Sequence, residues 1–165
     1  MQGSVDRLEP VFMDGLRASS TALRAALSHG DFLQVTTLMG RPYQLCSRVV
    51  HGRKLGRTLG FPTLNLRVPD DLTLSGVFAV TVRGLGSQPI GGVASLGRRP
   101  AVERDGALLL EVHLFDWSGD AYGQMIQVSF HQKLRDEAHY DSLDAMIQQI
   151  HIDASQARET LAHYV

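Results

Sequence analysis

The chain has 165 residues, 44% hydrophobic and 20% charged, with a formal net charge of −1. That length suits one domain plus a short appendage, and the balance excludes a global field drawing it to nucleic acid or an anionic membrane. Cys46 is the single cysteine, which excludes a disulfide framework and a cysteine zinc cluster; a small buried hydrophobe is its expected role. No apolar run reaches membrane-spanning length and "MQGSVDRLEP" has no signal-peptide core, so a soluble, cytoplasmic protein is expected.

From Ser19 to Gly40, "SSTALRAALSHGDFLQVTTLMG" predicts two short helices. Ser19 or Ser20 caps the first and Gly30 supplies its left-handed exit; Asp31 caps the second and Gly40 closes it. Two such helices bury too little to stand alone. From Tyr43 to His131 the pattern changes to period two, with turn residues about every 8–12 positions. "YQLCSRVVH" is a first strand, and "GVFAVTVRG" alternates Val77, Ala79 and Thr81 against Phe78, Val80 and Val82. "IGGVASLG" is glycine-rich, which predicts a bend or close approach to a ligand. "ALLLEVHLFD" and "QMIQVSFH" flank "WSGDAYG", a longer hairpin loop. Five or six strands with no helices between them predict a mainly β fold, a small closed antiparallel Greek-key barrel. The segment from Asp141 to Val165 returns to helical spacing: Leu143, Met146, Ile147, Ile150, Ala154, Ala157 and Leu161 form a stripe that would pack on the barrel, with Asp141 as the expected N-cap.

Chemistry is sought where polar residues make poor structural sense. In "LLLEVHLFD" alternation places Leu108, Leu110, Val112 and Leu114 on one face and Glu111 and His113 on the other. Glu111 is either a solvated outer-face residue or a placed acid/base. His113 lacks partners at zinc spacing, so it packs or touches a ligand. No catalytic triad can be assembled. "HGRKLGRTLGFPTLN" sets Arg53, Lys54 and Arg57 among Gly52, Gly56 and Gly60. Glycines let backbone N–H groups turn toward an anion and basic side chains complete the cradle; a mobile basic surface loop is the alternative. There is no Walker A Gly-Lys-Ser/Thr and no protein-kinase motif set. Pro62 fixes its own φ and biases Phe61 toward extended backbone, so Thr63 and Asn65 project the same way from a stiff base. A hydroxyl beside an amide oxygen is a neutral, hard-oxygen pair that suits Mg²⁺ drawing its other ligands from phosphates and water.

"VVHGRKLGRTLGFPTLNL", "GVFAV", "GGVASLGRRPAV", "LLLEVHLFDWSGDAYG" and "VSFHQKLRDEAHYDSLDAMIQQIHID" resemble, in order and spacing, the riboflavin kinase module of bacterial bifunctional riboflavin kinase/FAD synthetases, from about Gln44 to His163. "LEPVFMDGLRASSTALRAALSHGDFLQVTTLMGRPY" is similar to the end of the adenylyltransferase module of the same enzymes, where a Ser-Ser-Thr-x-x-Arg segment helps hold ATP; Ser19, Ser20, Thr21 and Arg24 match it. The nucleotide-binding sheet and the His-x-Gly-His-like motif expected before it are missing. The chain is therefore expected to be a remnant or linker of that module over 1–42 followed by a kinase domain over 43–165, without FMN adenylylation.

The resemblance implies Mg²⁺- and ATP-dependent phosphorylation of the ribityl 5′-hydroxyl of riboflavin, giving FMN and ADP. It implies Glu111 as the catalytic base and Thr63 and Asn65 as the residues that hold Mg²⁺ and the terminal phosphates. Gly52, Arg53, Lys54, Gly56, Arg57, Gly60 and Pro62 match the loop over the nucleotide. His113 and Tyr122 fall in a hairpin of the nucleotide pocket, and Arg135 and Glu137 fall where a second mobile loop meets the flavin. For these last four, turn-filling or a solvated charge cluster is the alternative. Ser95 and Ala101 stand where many relatives carry Asn and Thr, and Arg98 replaces a smaller residue. A flavin-binding barrel without turnover, acting as a sensor or scaffold, is the competing class. Nucleic-acid binding does not fit the near-neutral charge.

Overall fold

The computed structural model describes residues 12–13, 15–52, 60–98 and 107–165. A short hairpin, β1 (Phe12–Met13) and β2 (Leu16–Arg17), precedes helix α1 (Ser20–His29), which is capped by the Ser19 hydroxyl accepting from the Ala22 N–H and exits through Gly30 at φ 71°. Helix α2 (Phe32–Met39) follows at once, its N-terminus held by the Asp31 carboxylate. Six strands then close into a barrel: β3 (Tyr43–Val50), β4 (Leu64–Arg67), β5 (Gly76–Arg83), β6 (Ile90–Arg98), β7 (Leu108–Leu114) and β8 (Met125–Arg135). Helix α3 (Leu143–Leu161) ends the fold.

Around the barrel the order is β3-β4-β7-β6-β5-β8, every neighbouring pair antiparallel. β5, β6 and β7 form a meander, while the β4–β5 and β7–β8 connections cross over, which is the expected Greek-key closure. Alternation decides what lies inside. Leu66, Phe78, Val80, Val82, Ala94, Leu96, Leu110, Val112, Val128 and Phe130 fill the interior. Phe32 of α2 joins the same core, stacked on Phe130 at 6.0 Å and edge-on to Phe78 at 5.8 Å. The two helices anticipated as too small to stand alone thus contribute Ala26, Leu27, Phe32 and Val35 to the barrel's own core.

The outward residues of β5 are buried as well, because α3 lies over β5, β6 and β8. Ala79, Phe115, Ala157 and Leu161 make this second cluster. The stripe on α3 is buried only toward its C-terminal end; Leu143 is exposed. Its N-cap is Ser142, whose hydroxyl accepts from the Ala145 N–H, and not the adjacent Asp141.

Other expectations change too. Cys46 is exposed rather than buried, because alternation along β3 turns it outward opposite Gln127. β8 continues past His131 to Arg135, and the step that carries Thr63 and Asn65 runs on as strand β4. In β6 the glycines admit protein: Gly91 lies under Leu161 and Phe115, and Gly97 under Glu137.

Candidate active site

A single row of ladder partners crosses the outer surface of the barrel: Val50, Asn65, Glu111, Ser95, Val77 and Arg135. Directly opposed residues of antiparallel strands point to the same side, about 5 Å apart. Asn65 and Glu111 are such a pair, and Ser95 flanks Glu111 on its other side. β7 shows the alternation read from "LLLEVHL", with Leu108, Leu110, Val112 and Leu114 inside and Glu111 half-buried outside.

Asn65 is only 5% exposed although it faces away from the barrel interior. The chain at Gly52 covers it so closely that a Cβ at position 52 would overlap the Asn65 amide. The amide nitrogen makes a long hydrogen bond to the Thr63 carbonyl at 3.4 Å, and Oδ1 is buried with no hydrogen-bonding partner among the described residues. A buried amide oxygen left unpaired costs about 1–3 kcal/mol, so this atom awaits a donor or a cation. Among the described residues, no group of three or more His, Cys, Asp or Glu could hold a metal. A cation here would rest on neutral oxygens, Thr63 and Asn65, and on ligands it brings with it; that donor set fits a hard divalent ion on phosphates.

Thr63 and Asn65 line an open pocket of about 90 Å³ with Val49, His51, Gly52, Pro62, Asp120 and Tyr122. Gly60, at φ 83°, makes the left-handed turn that starts the Phe61-Pro62-Thr63 step. His113 holds the step in place: its Nδ1–H donates to the Pro62 carbonyl at 3.0 Å, which fixes the proton on that nitrogen. Phe61 packs edge-on against His113 at 5.4 Å and against His151 of α3 at 5.0 Å. Tyr122 stacks face to face on His51, ring centroids 3.5 Å apart, so the pocket wall is a pair of parallel rings. Arg53, Lys54, Gly56, Arg57 and Ala101 lie outside the described residues.

Arg135 sits at the far end of the row, three strands from Glu111. It is bound to α3: Nε donates to the Asp153 carboxylate at 3.0 and 3.1 Å, and a terminal nitrogen donates at 2.7 Å. These bonds raise the Arg135 pKa above the ordinary guanidinium value, against a smaller opposing effect of burial. Asp153 is 2% exposed and also accepts from the Gln149 side chain at 2.9 Å. Glu137, two residues on, returns over Gly97 beside the Glu111 region. Burial chiefly raises its pKa and the Glu111 charge adds to that, while His139 and Arg135 oppose.

Sequence reasoning did not find His51, Gln149 or Asp153. The first looked like one scattered histidine among seven. Asp153 sits among polar helix residues, and only the ladder that brings Arg135 beneath α3 reveals it.

Comparison with known proteins identifies the family. The Flavokinase family, described as riboflavin kinase, matches residues 39–161. A "Bifunctional riboflavin kinase/FMN adenylyltransferase" from Haemophilus influenzae is 45% identical over 148 residues, 88% of this chain and 47% of that protein. One of the same description from Pseudomonas fluorescens is 44% identical over 164 residues, 96% of this chain and 51% of that protein. The chain thus spans about half the length of the curated relatives it matches. A Streptococcus pneumoniae crystal structure titled as a macrolide-efflux protein superimposes with TM-score 0.79 at 32% identity, over 90% of this chain and 49% of that one. Riboflavin kinase from Trypanosoma brucei shares the fold, with TM-score 0.54 at 24% identity over 74% of this chain and 81% of that one. Among the described residues no helix is long and apolar enough to cross a membrane. A family match spanning most of the chain, borne on a six-strand barrel that sets Asn65 beside Glu111, makes this protein a member of the riboflavin kinase family.

Proposed function

We propose that the chain transfers the γ-phosphate of ATP to the ribityl 5′-hydroxyl of riboflavin, giving FMN and ADP. One observation carries the reading: a strand-borne carboxylate, Glu111, is the ladder neighbour of Asn65, whose buried amide oxygen has no partner among the described residues. An alcohol nucleophile and a phosphate-bearing donor need these two functions side by side.

Glu111 accepts the proton of the 5′-hydroxyl as its oxygen bonds to the terminal phosphorus and the bond to the bridging oxygen of ADP breaks. Thr63 and Asn65 would hold Mg²⁺, which when bound neutralises charge on the phosphates. Gly52 gives the room for this, since any side chain there would displace the Asn65 amide. His113, by donating to the Pro62 carbonyl, keeps Thr63 and Asn65 in register with Glu111. The pocket between the His51–Tyr122 rings and Pro62 receives the nucleotide. Arg53, Lys54, Gly56, Arg57 and Gly60 serve the nucleotide phosphates, and Glu137 and Arg135 belong to the flavin side. Positioning supplies the larger share of the rate. Such substrates fit a cytoplasmic protein, and the relatives' names fit an adenylyltransferase module as a covalent neighbour.

Incubation with riboflavin and Mg·ATP, followed by chromatography for FMN, tests the reading. FMN at catalytic turnover supports it. Flavin binding without FMN would overturn it in favour of a non-catalytic flavin-binding barrel.

A further inference from the structure

The mechanism above uses Glu137 only as a neighbour of the flavin side, yet its location is built with unusual care. After β8 the chain must cross β5 and β6 to reach the Glu111 region. It does so over a residue without a side chain. A Cβ at Gly97 would overlap the Glu137 carboxylate. Gly97 follows the inward-facing Leu96 and so lies on the outer face of β6, on the side of Ser95 and its ladder partner Glu111. Gly97 sets how close the crossing can lie. It does not set where along the barrel it lies.

That second coordinate comes from Arg135. Its guanidinium is held by Asp153 through three contacts of 2.7 to 3.1 Å, and its remaining terminal nitrogen donates to the Asp136 carbonyl at 2.9 Å. One planar group therefore ties α3 to the backbone of the residue that precedes Glu137. Asp153 is itself fixed by Gln149 one turn earlier on α3. Tyr140 approaches the same guanidinium at 5.9 Å from its ring centre, and Lys133 pairs with the Asp136 carboxylate at 2.6 Å. A carboxylate-guanidinium fork is directional as well as attractive. A packing role alone would require neither its orientation nor the bond to the Asp136 carbonyl.

We propose that Asp153 is a positioning residue: acting through Arg135, it fixes segment 136–137 over Gly97, so that Glu137 meets the flavin substrate beside Glu111. Asp153 touches neither substrate nor reacting atoms. Its effect belongs to the flavin side of the site and not to the nucleotide side, because His51, Gly52, Thr63 and Asn65 hang on other strands and loops.

The inference rests on the kinase reading, and the test separates the two. Wild type, Asp153→Asn and Gln149→Ala are assayed for FMN formation with riboflavin and Mg·ATP varied in turn, alongside thermal melts. Wild type that forms no FMN sinks the kinase reading itself, and the positioning role is then read from riboflavin fluorescence titrations of the same three proteins. With an active wild type, Asp153→Asn should raise KM for riboflavin about tenfold and leave KM for Mg·ATP within about twofold; Gln149→Ala should shift riboflavin KM the same way by a smaller factor. Asp153→Glu, which keeps the charge, should recover part of the loss. A variant with a lowered Tm but unchanged riboflavin KM, or one in which both KM values move together, overturns the proposal. Should Asp153→Asn fail to fold, Gln149→Ala decides by the same criterion.

Discussion

Asn65 of β4 and Glu111 of β7 are direct ladder partners, 46 residues apart in sequence and adjacent on one face of the barrel. The pairing sets an amide oxygen beside a carboxylate without any intervening loop. The two side chains are therefore positioned by backbone hydrogen bonds, whose register cannot slip by one residue without turning the slipped strand's member of the pair into the apolar interior.

Glu111→Gln keeps the size and the strand of this side chain and removes its ability to take a proton. FMN formation should fall by about 10²–10⁴, with the thermal melt and riboflavin binding unchanged. Steady-state kinetics with chromatographic detection checks this; near wild-type turnover would remove Glu111 from the role of base.

At Gly52 the prediction is steric. The added methyl of Gly52→Ala overlaps the Asn65 amide, so that side chain has to move. A stability loss of about 1–3 kcal/mol is expected, together with a raised KM for Mg·ATP at saturating riboflavin. Urea unfolding and nucleotide-varied kinetics measure the two effects. If stability falls and KM stays, the Asn65 amide is not on the nucleotide side.

His131 gives a pH signature. Burial lowers its pKa from the ordinary imidazole value, and its Nε2 shares a 2.9 Å hydrogen bond with Thr81 Oγ1. The unfolded chain takes up a proton near pH 6.5, where the folded chain still resists it. Below that pH the unfolded state binds more protons, so stability rises with pH. The contribution is complete above about pH 6.5 and is lost as pH falls through the lower folded value. His131→Gln should flatten the stability curve on the acid side, as read from melts between about pH 5 and 8; parallel curves for both proteins would refute the assignment.

Phe32 tests whether the N-terminal helices are part of the barrel. Phe32→Ala removes the ring that stacks on Phe130 and meets Phe78 edge-on. The cost should be about 3–5 kcal/mol by denaturant unfolding, in one cooperative transition that includes the barrel signal. A small loss confined to a separate early transition would show that α1 and α2 are an independent unit.

What could be read from the sequence follows from the range of each interaction. Alternation in "LLLEVHLFD" and "GVFAVTVRG" is a local signal and placed every inner side chain of β7 and β5. The caps at Ser19, Asp31 and Gly30 are equally local. Asp141 and Ser142 both carry oxygens able to cap α3, and only the backbone path to Ala145 selects the second. Cys46 went the other way because β3 is exposed on its outer side, which composition does not reveal. The Asn65–Glu111 register and the Arg135–Asp153 fork depend on strand order, which no short window encodes. The Gly-Phe-Pro-Thr-x-Asn step drew attention by its odd chemistry, and the unpaired Oδ1 above Gly52 supplies the physical reason for that oddity.

Closure of the ring in the order β3-β4-β7-β6-β5-β8 means that each of its strands is flanked on both sides. Among the described residues most backbone N–H and C=O groups of the ring face a neighbouring strand; the flank of β3 before Val49 lacks ladder partners toward β4, and the rest of the ring leaves little edge for a foreign peptide.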